Sequence, residues 1–132
     1  MKRTLILTMI FLLTLFVAVN AQTNLQSNPN AKIPDLKPTF IVSDIYVVMQ
    51  ILEGIELQGK EVEAFLDVKN NLKSYLETAQ EKKLKVSDTL KVVMPGYLAQ
   101  NIITFLARAT LRGNMADQYK RFVDAIINSS KN

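Results

Sequence analysis

ILEGIELQGKEVEAFLDVKNNL, residues 51–72, reads as the end of one helix, an elbow at Leu57-x-Gly59, and the start of a second helix. A fainter copy, FLARATLRGNMADQYKRFVDAI, occupies residues 105–126. Leu52 matches Leu106, Leu57 matches Leu111 and Gly59 matches Gly113, all at one offset (106 − 52 = 54). Phe65 faces Tyr119, Val68 faces Phe122 and Leu72 faces Ile126 at the same shift. Glycine enters the left-handed region without a side-chain clash, so Gly59 and Gly113 are expected to stop helices. Two amphipathic hairpins with glycine stops would also align this well by chance. Three identities in a 22-residue window leave duplication and coincidence level.

Working outward, the first helix should begin between Thr39 and Asp44, where Thr39, Ser43 and Asp44 all suit a helix start. Ile41, Ile45, Val48, Met49 and Leu52 follow helical spacing, and Tyr46, Val47, Ile51 and Ile55 add apolar surface on other sides. Such a helix is central or covered by another subunit. The β-branched run over Phe40–Val48 keeps a strand as the minority alternative. The second helix, Lys60–Lys83, carries one stripe from Val62 through Phe65, Leu72 and Leu76 to Ala79, with acidic residues in its first turn. Ser87–Met94 is expected as a short helix that Pro95-Gly96 interrupts. Tyr97–Arg112 resumes as a broadly apolar helix. Asn114 is expected to cap the last one, whose stripe is Tyr119, Phe122, Val123, Ile126 and Ile127. The sum is an all-α domain over 39–128: an antiparallel four-helix bundle of two helical hairpins, with a short extra helix in the connection. Residues 129–132 form a frayed tail.

Lys2 and Arg3 precede an apolar run from Leu5 to Val19, which ends in Val19-Asn20-Ala21. A basic start, a short apolar core and a small-x-small ending define a secretory signal peptide over 1–21, cut before Gln22. The chain is therefore expected to be secreted or periplasmic. Residues 22–38, rich in Asn, Gln, Ser and Pro, read as a flexible polar tether, with docking through Ile33 and Leu36 as the lesser alternative. Without Lys2 and Arg3, 14 basic side chains face 12 acidic ones, a balance too mild to recruit nucleic acid.

The chain has no Cys, His or Trp. That removes thiolate chemistry, the usual base near neutral pH and the commonest zinc ligand. Glu53, Glu56, Glu61 and Glu63 bracket the first elbow, and solvated helix faces explain them better than a metal site, since a di-iron bundle also needs His. Ser87 and Lys91 sit four apart as a nominal dyad, a spacing common by chance. No cofactor and no enzymatic activity are expected. Lys82, Lys83, Lys85 and Lys91 form the basic cluster, a candidate contact patch for a membrane surface or an acidic partner. The leading expectation is a non-catalytic module of the envelope that contacts another protein or itself. The alternative is a carrier of an apolar ligand or lipid, lined by Met49, Met94, Ile102 and Phe105.

Overall fold

Thr39-Phe40-Ile41 and Thr89-Leu90-Lys91 alternate outward and inward side chains, the period-two pattern that a strand requires. In the computed structural model, which describes residues 33–131, these form strands β1 (Thr39–Ile41) and β2 (Thr89–Lys91). Four helices complete the domain: α1 (Val42–Glu53), α2 (Val62–Glu81), α3 (Gly96–Leu106) and α4 (Ala116–Ser129). One turn of 3-10 helix leads into α2 (Gly59–Glu61) and another into α4 (Gly113–Met115). The expected signal peptide and most of the expected tether lie outside the described residues.

The protein is mostly helical, but the all-α expectation is corrected by this two-stranded antiparallel sheet. Its register sets Thr39 opposite Lys91, Phe40 opposite Leu90 and Ile41 opposite Thr89. The short helix expected over Ser87–Met94 is absent. Asp88 instead closes a turn, accepting the Lys85 N–H at 2.8 Å while its own N–H reaches the Lys85 carbonyl at 3.0 Å. The chain leaves that turn extended, with Leu90, Val92 and Met94 buried and Lys91 and Val93 outward.

Pairing continues back into the stretch read as tether. Leu36 and Met94 exchange backbone hydrogen bonds of 2.8 and 2.9 Å, and the Val92 N–H donates to the Pro38 carbonyl at 3.1 Å. Leu36, Pro38 and Phe40 face inward, which compensates the cost of ordering this polar segment. Ile33 and Pro34 lie directly on Gly96: a β-carbon there would stand 2.1 Å from Ile33 Cγ2 and 2.7 Å from the Pro34 carbonyl oxygen. Only glycine lets the entering chain sit on the first turn of α3.

The elbows also differ from expectation. α1 already ends at Glu53 with Gly54 as its C-cap, and Gly59 and Gly113 open the 3-10 turns rather than stopping a helix. No glycine has positive φ. The left-handed helix stop falls on Lys83 (φ 55°), which ends α2. There the Leu84 N–H reaches the Ala79 carbonyl and the Lys83 N–H reaches that of Gln80, both at 2.9 Å, the double bond of a Schellman cap. A lysine held left-handed is strained, so Lys83→Gly should raise stability by about 0.5–1 kcal/mol. Urea denaturation measures this, and a destabilised variant would contradict the strain.

α1 is the central element, as its broad apolar face predicted. It touches α2, α3 and α4 and buries Val42, Ile45, Val48, Ile51 and Leu52. Phe40 of β1 stacks on Phe122 of α4 with ring centres 4.3 Å apart. Phe65 of α2 meets Phe105 of α3 edge to face at 5.4 Å.

Element starts repeat at the sequence offset: α1 and α3 (96 − 42 = 54), the 3-10 turns (113 − 59 = 54), α2 and α4 (116 − 62 = 54). Burial repeats with them. Phe40/Met94, Val42/Gly96, Asp44/Leu98, Ile45/Ala99, Val48/Ile102, Ile51/Phe105 and Leu52/Leu106 are buried in both halves. The extended stretches ahead of the helices add two identities, Leu36 with Leu90 and Lys37 with Lys91. The shift also carries the Leu36–Met94 pairing onto Leu90–Phe40 (36 + 54 = 90, 94 − 54 = 40), which is observed.

Candidate functional site

The strand-to-helix joints and the elbows lie at opposite ends of the helices, and each end has its own chemistry. At the elbow end an open cleft of about 570 Å³ lies between Gly54–Gln58 on one side and Arg108 and Thr110 on the other. Its electrostatics are largely self-satisfied. Glu61 accepts the Gln58 N–H at 3.0 Å and the Arg108 guanidinium at 3.1–3.2 Å, and Arg108 also lies 5.4 Å over the Phe105 ring. The Gln58 N–H, with help from Arg108 and Lys60, holds the Glu61 carboxyl below its ordinary range. Glu53 is lowered by its hydrogen bond to Lys69, at 2.9 Å. Two of the four elbow carboxylates therefore serve the fold. Among the described residues no three acidic side chains converge as a metal site would need.

The sheet end is different. Lys37, Thr39, Lys91 and Val93 point outward from the two-stranded layer, and the register sets residue 37 beside 93 (37 + 93 = 39 + 91). Val93 is 60% exposed, and Tyr97 on the first turn of α3 is 52% exposed. Tyr75 of α2 donates its hydroxyl to the Val93 carbonyl at 3.3 Å. Burial, then the neighbouring Tyr97 and Asp67, push the Tyr75 phenol up to about 12.

The expected basic cluster comes together here. Lys82, Lys83 and Lys85 stand exposed in the turn after α2, and that turn is pinned to the start of α1 by the Ser43 N–H on the Val86 carbonyl at 2.8 Å. Lys91 projects from β2. Lys37 joins them, a residue that sequence reading left in the tether. Its signal was the repeated Leu-Lys of 36–37 and 90–91. Ser87 and Lys91 lie in a turn and a strand, so the helical spacing of a dyad does not arise.

The four apolar candidates occupy the interior. Met94 and Ile102 are fully buried, Phe105 nearly so, and Met49 packs half-buried against the same cluster. None of them lines the elbow cleft.

One buried charge escaped sequence reading. Asp44, only 1% exposed, takes a two-pronged contact from Arg121 of α4: Nη2 to Oδ1 at 2.7 Å and Nε to Oδ2 at 3.0 Å. The hydrogen bond to Asp44 raises the Arg121 pKa above its ordinary value. At the place equivalent to Asp44 in the second half stands Leu98, so the pair joins the two halves once and is not a feature the fold needs twice.

Compared with known families, curated proteins and solved structures, the chain matches none.

Proposed function

We propose that this chain is an exported, non-catalytic contact module of the cell envelope, built by internal duplication of a strand–helix–turn–helix unit. In this reading each unit contributes one strand and two helices, α4 packs across on α1 of the other unit, and the two units share the sheet. Support for duplication comes from the common 54-residue offset of helix starts, burial and strand pairing. The contact role rests on a single observation: exposed Val93 and Tyr97 lie beside Lys37 and Lys91 at one end. The partner is another protein, a second copy or the envelope surface.

The repeat supplies the test. The residues equivalent to Val93 and Tyr97 are Thr39 and Ser43 (93 − 54 = 39, 97 − 54 = 43), so the fold tolerates polar side chains at both places. Val93→Thr/Tyr97→Ser should leave the thermal midpoint nearly unchanged and move the exported chain from the envelope fraction to the soluble fraction of its host. A folded variant that stays with the envelope would sink the contact reading.

A further inference from the structure

We infer that the sheet end is a membrane-contact face that lies on a bilayer surface carrying anionic lipids. This rests on the contact-module reading and names the partner.

Charge is the first argument. Lys37, Lys82, Lys83, Lys85 and Lys91 gather at the sheet end, all exposed. The acidic neighbours there are Asp35, Asp67, Glu81 and Asp88, and the Asp88 carboxylate already accepts the Lys85 N–H. At the opposite end Glu53, Glu56, Glu61 and Glu63 are matched by Lys60, Lys69, Arg108 and Arg112, with Glu53 and Glu61 held in ion pairs. The sheet end thus carries the unmatched lysines, and a basic surface is drawn to an anionic leaflet within a Debye length.

The apolar side chains are the second. Ile33, Val86, Val93 and Tyr97 are exposed at the same end as the lysines. Short aliphatic groups and a tyrosine among lysines suit the headgroup boundary, where apolar atoms enter the acyl edge and ammonium groups meet phosphate.

The two halves provide an internal control. Thr39 and Ser43 occupy the places of Val93 and Tyr97 in the first half, so packing does not demand apolar residues there. Lys83 holds a left-handed conformation that glycine adopts more easily, which keeps a positive charge where the backbone favours its loss.

Absence of Trp makes a direct test simple. Val93→Trp places a sole reporter on the sheet end, and Leu111→Trp places one at the elbow end. Each full chain, purified from its host, is mixed with phosphatidylcholine vesicles, with or without phosphatidylglycerol, that carry brominated acyl chains. On anionic vesicles the Val93→Trp emission should shift to the blue and be quenched, and the Leu111→Trp emission should do neither. Lys82→Glu/Lys85→Glu should weaken partitioning at least tenfold, since each lysine near the surface contributes about fivefold. Equal quenching of both reporters, no quenching of either, or equal response on neutral vesicles would overturn the assignment. Tyr97→Trp replaces Val93→Trp if circular dichroism shows the latter misfolded. If vesicles fail while Val93→Thr/Tyr97→Ser still frees the chain from the envelope fraction, the contact reading stands with a protein partner and the lipid assignment falls.

Discussion

Arg121→Leu is expected to destabilise the domain by about 3 kcal/mol, whereas Asp44→Leu/Arg121→Leu should return to within about 1 kcal/mol of the parent. The single change leaves the Asp44 carboxylate in the interior without its guanidinium. Ser43 Oγ, at 3.5 Å, is too distant to replace two charge-assisted bonds of 2.7 and 3.0 Å. Arg121 itself is about half exposed, so its solvation is partly kept and the loss sits at the low end of values for broken buried pairs. The double change removes the stranded charge and installs at position 44 the residue that the second half already carries, Leu98, buried against the same core. Denaturation of the two single variants and the double variant forms a cycle that isolates the pair. A cost below about 1 kcal/mol for Arg121→Leu would mean that water reaches Asp44 and that the pair contributes little.

Phe122→Ala should cost about 4 kcal/mol and lower Tm by about 15 °C or more. Phe122 is fully buried, and its ring lies nearly parallel to Phe40, with an interplanar angle of 11°. Truncation removes the transfer energy of the ring and leaves a void between α4 and β1 that a helix and a paired strand cannot easily close. Combined with Phe40→Ala, the losses should fall short of additivity by about 1 kcal/mol, the part that belongs to the stack itself. Strict additivity would show two independent hydrophobic anchors rather than a coupled pair.

How much of this could be read from the chain alone follows from which interactions are local. The helices carry their apolar spacing within themselves, and α1, α2 and α4 fall close to where the periodicity of Ile45–Leu52, Phe65–Ala79 and Tyr119–Ile126 puts them. The sheet was hidden because its evidence is non-local. Phe40 and Leu90 are fifty residues apart (90 − 40 = 50), and each flank is only a few alternating residues long. Leu90, Val92 and Met94 fit a helical reading nearly as well as an alternating one until the Asp88 turn is known. The glycine elbows misled for a physical reason: glycine permits a left-handed stop but does not compel it, and Lys83 took that conformation instead. The basic residues were visible as a cluster, yet Lys37 joins them only through strand pairing. Asp44 read as one of three helix-start candidates and nothing singled out Arg121, since a buried ion pair 77 residues apart leaves no trace in periodicity.

The pairing of Leu36 with Met94 also governs time. The strands cannot zip until 58 residues of chain have been made between their partners (94 − 36 = 58), and α1 lacks the cover of α4 until the C-terminus has emerged. At about 5–20 residues per second, synthesis of that interval takes roughly 3–12 seconds. Throughout it only helices and the contact of α1 with α2 can form, and isolated helices as short as α1 are marginal in water. The domain is thus wired to close late and all at once, which leaves a nascent chain unfolded enough to be threaded through a narrow channel before its core exists.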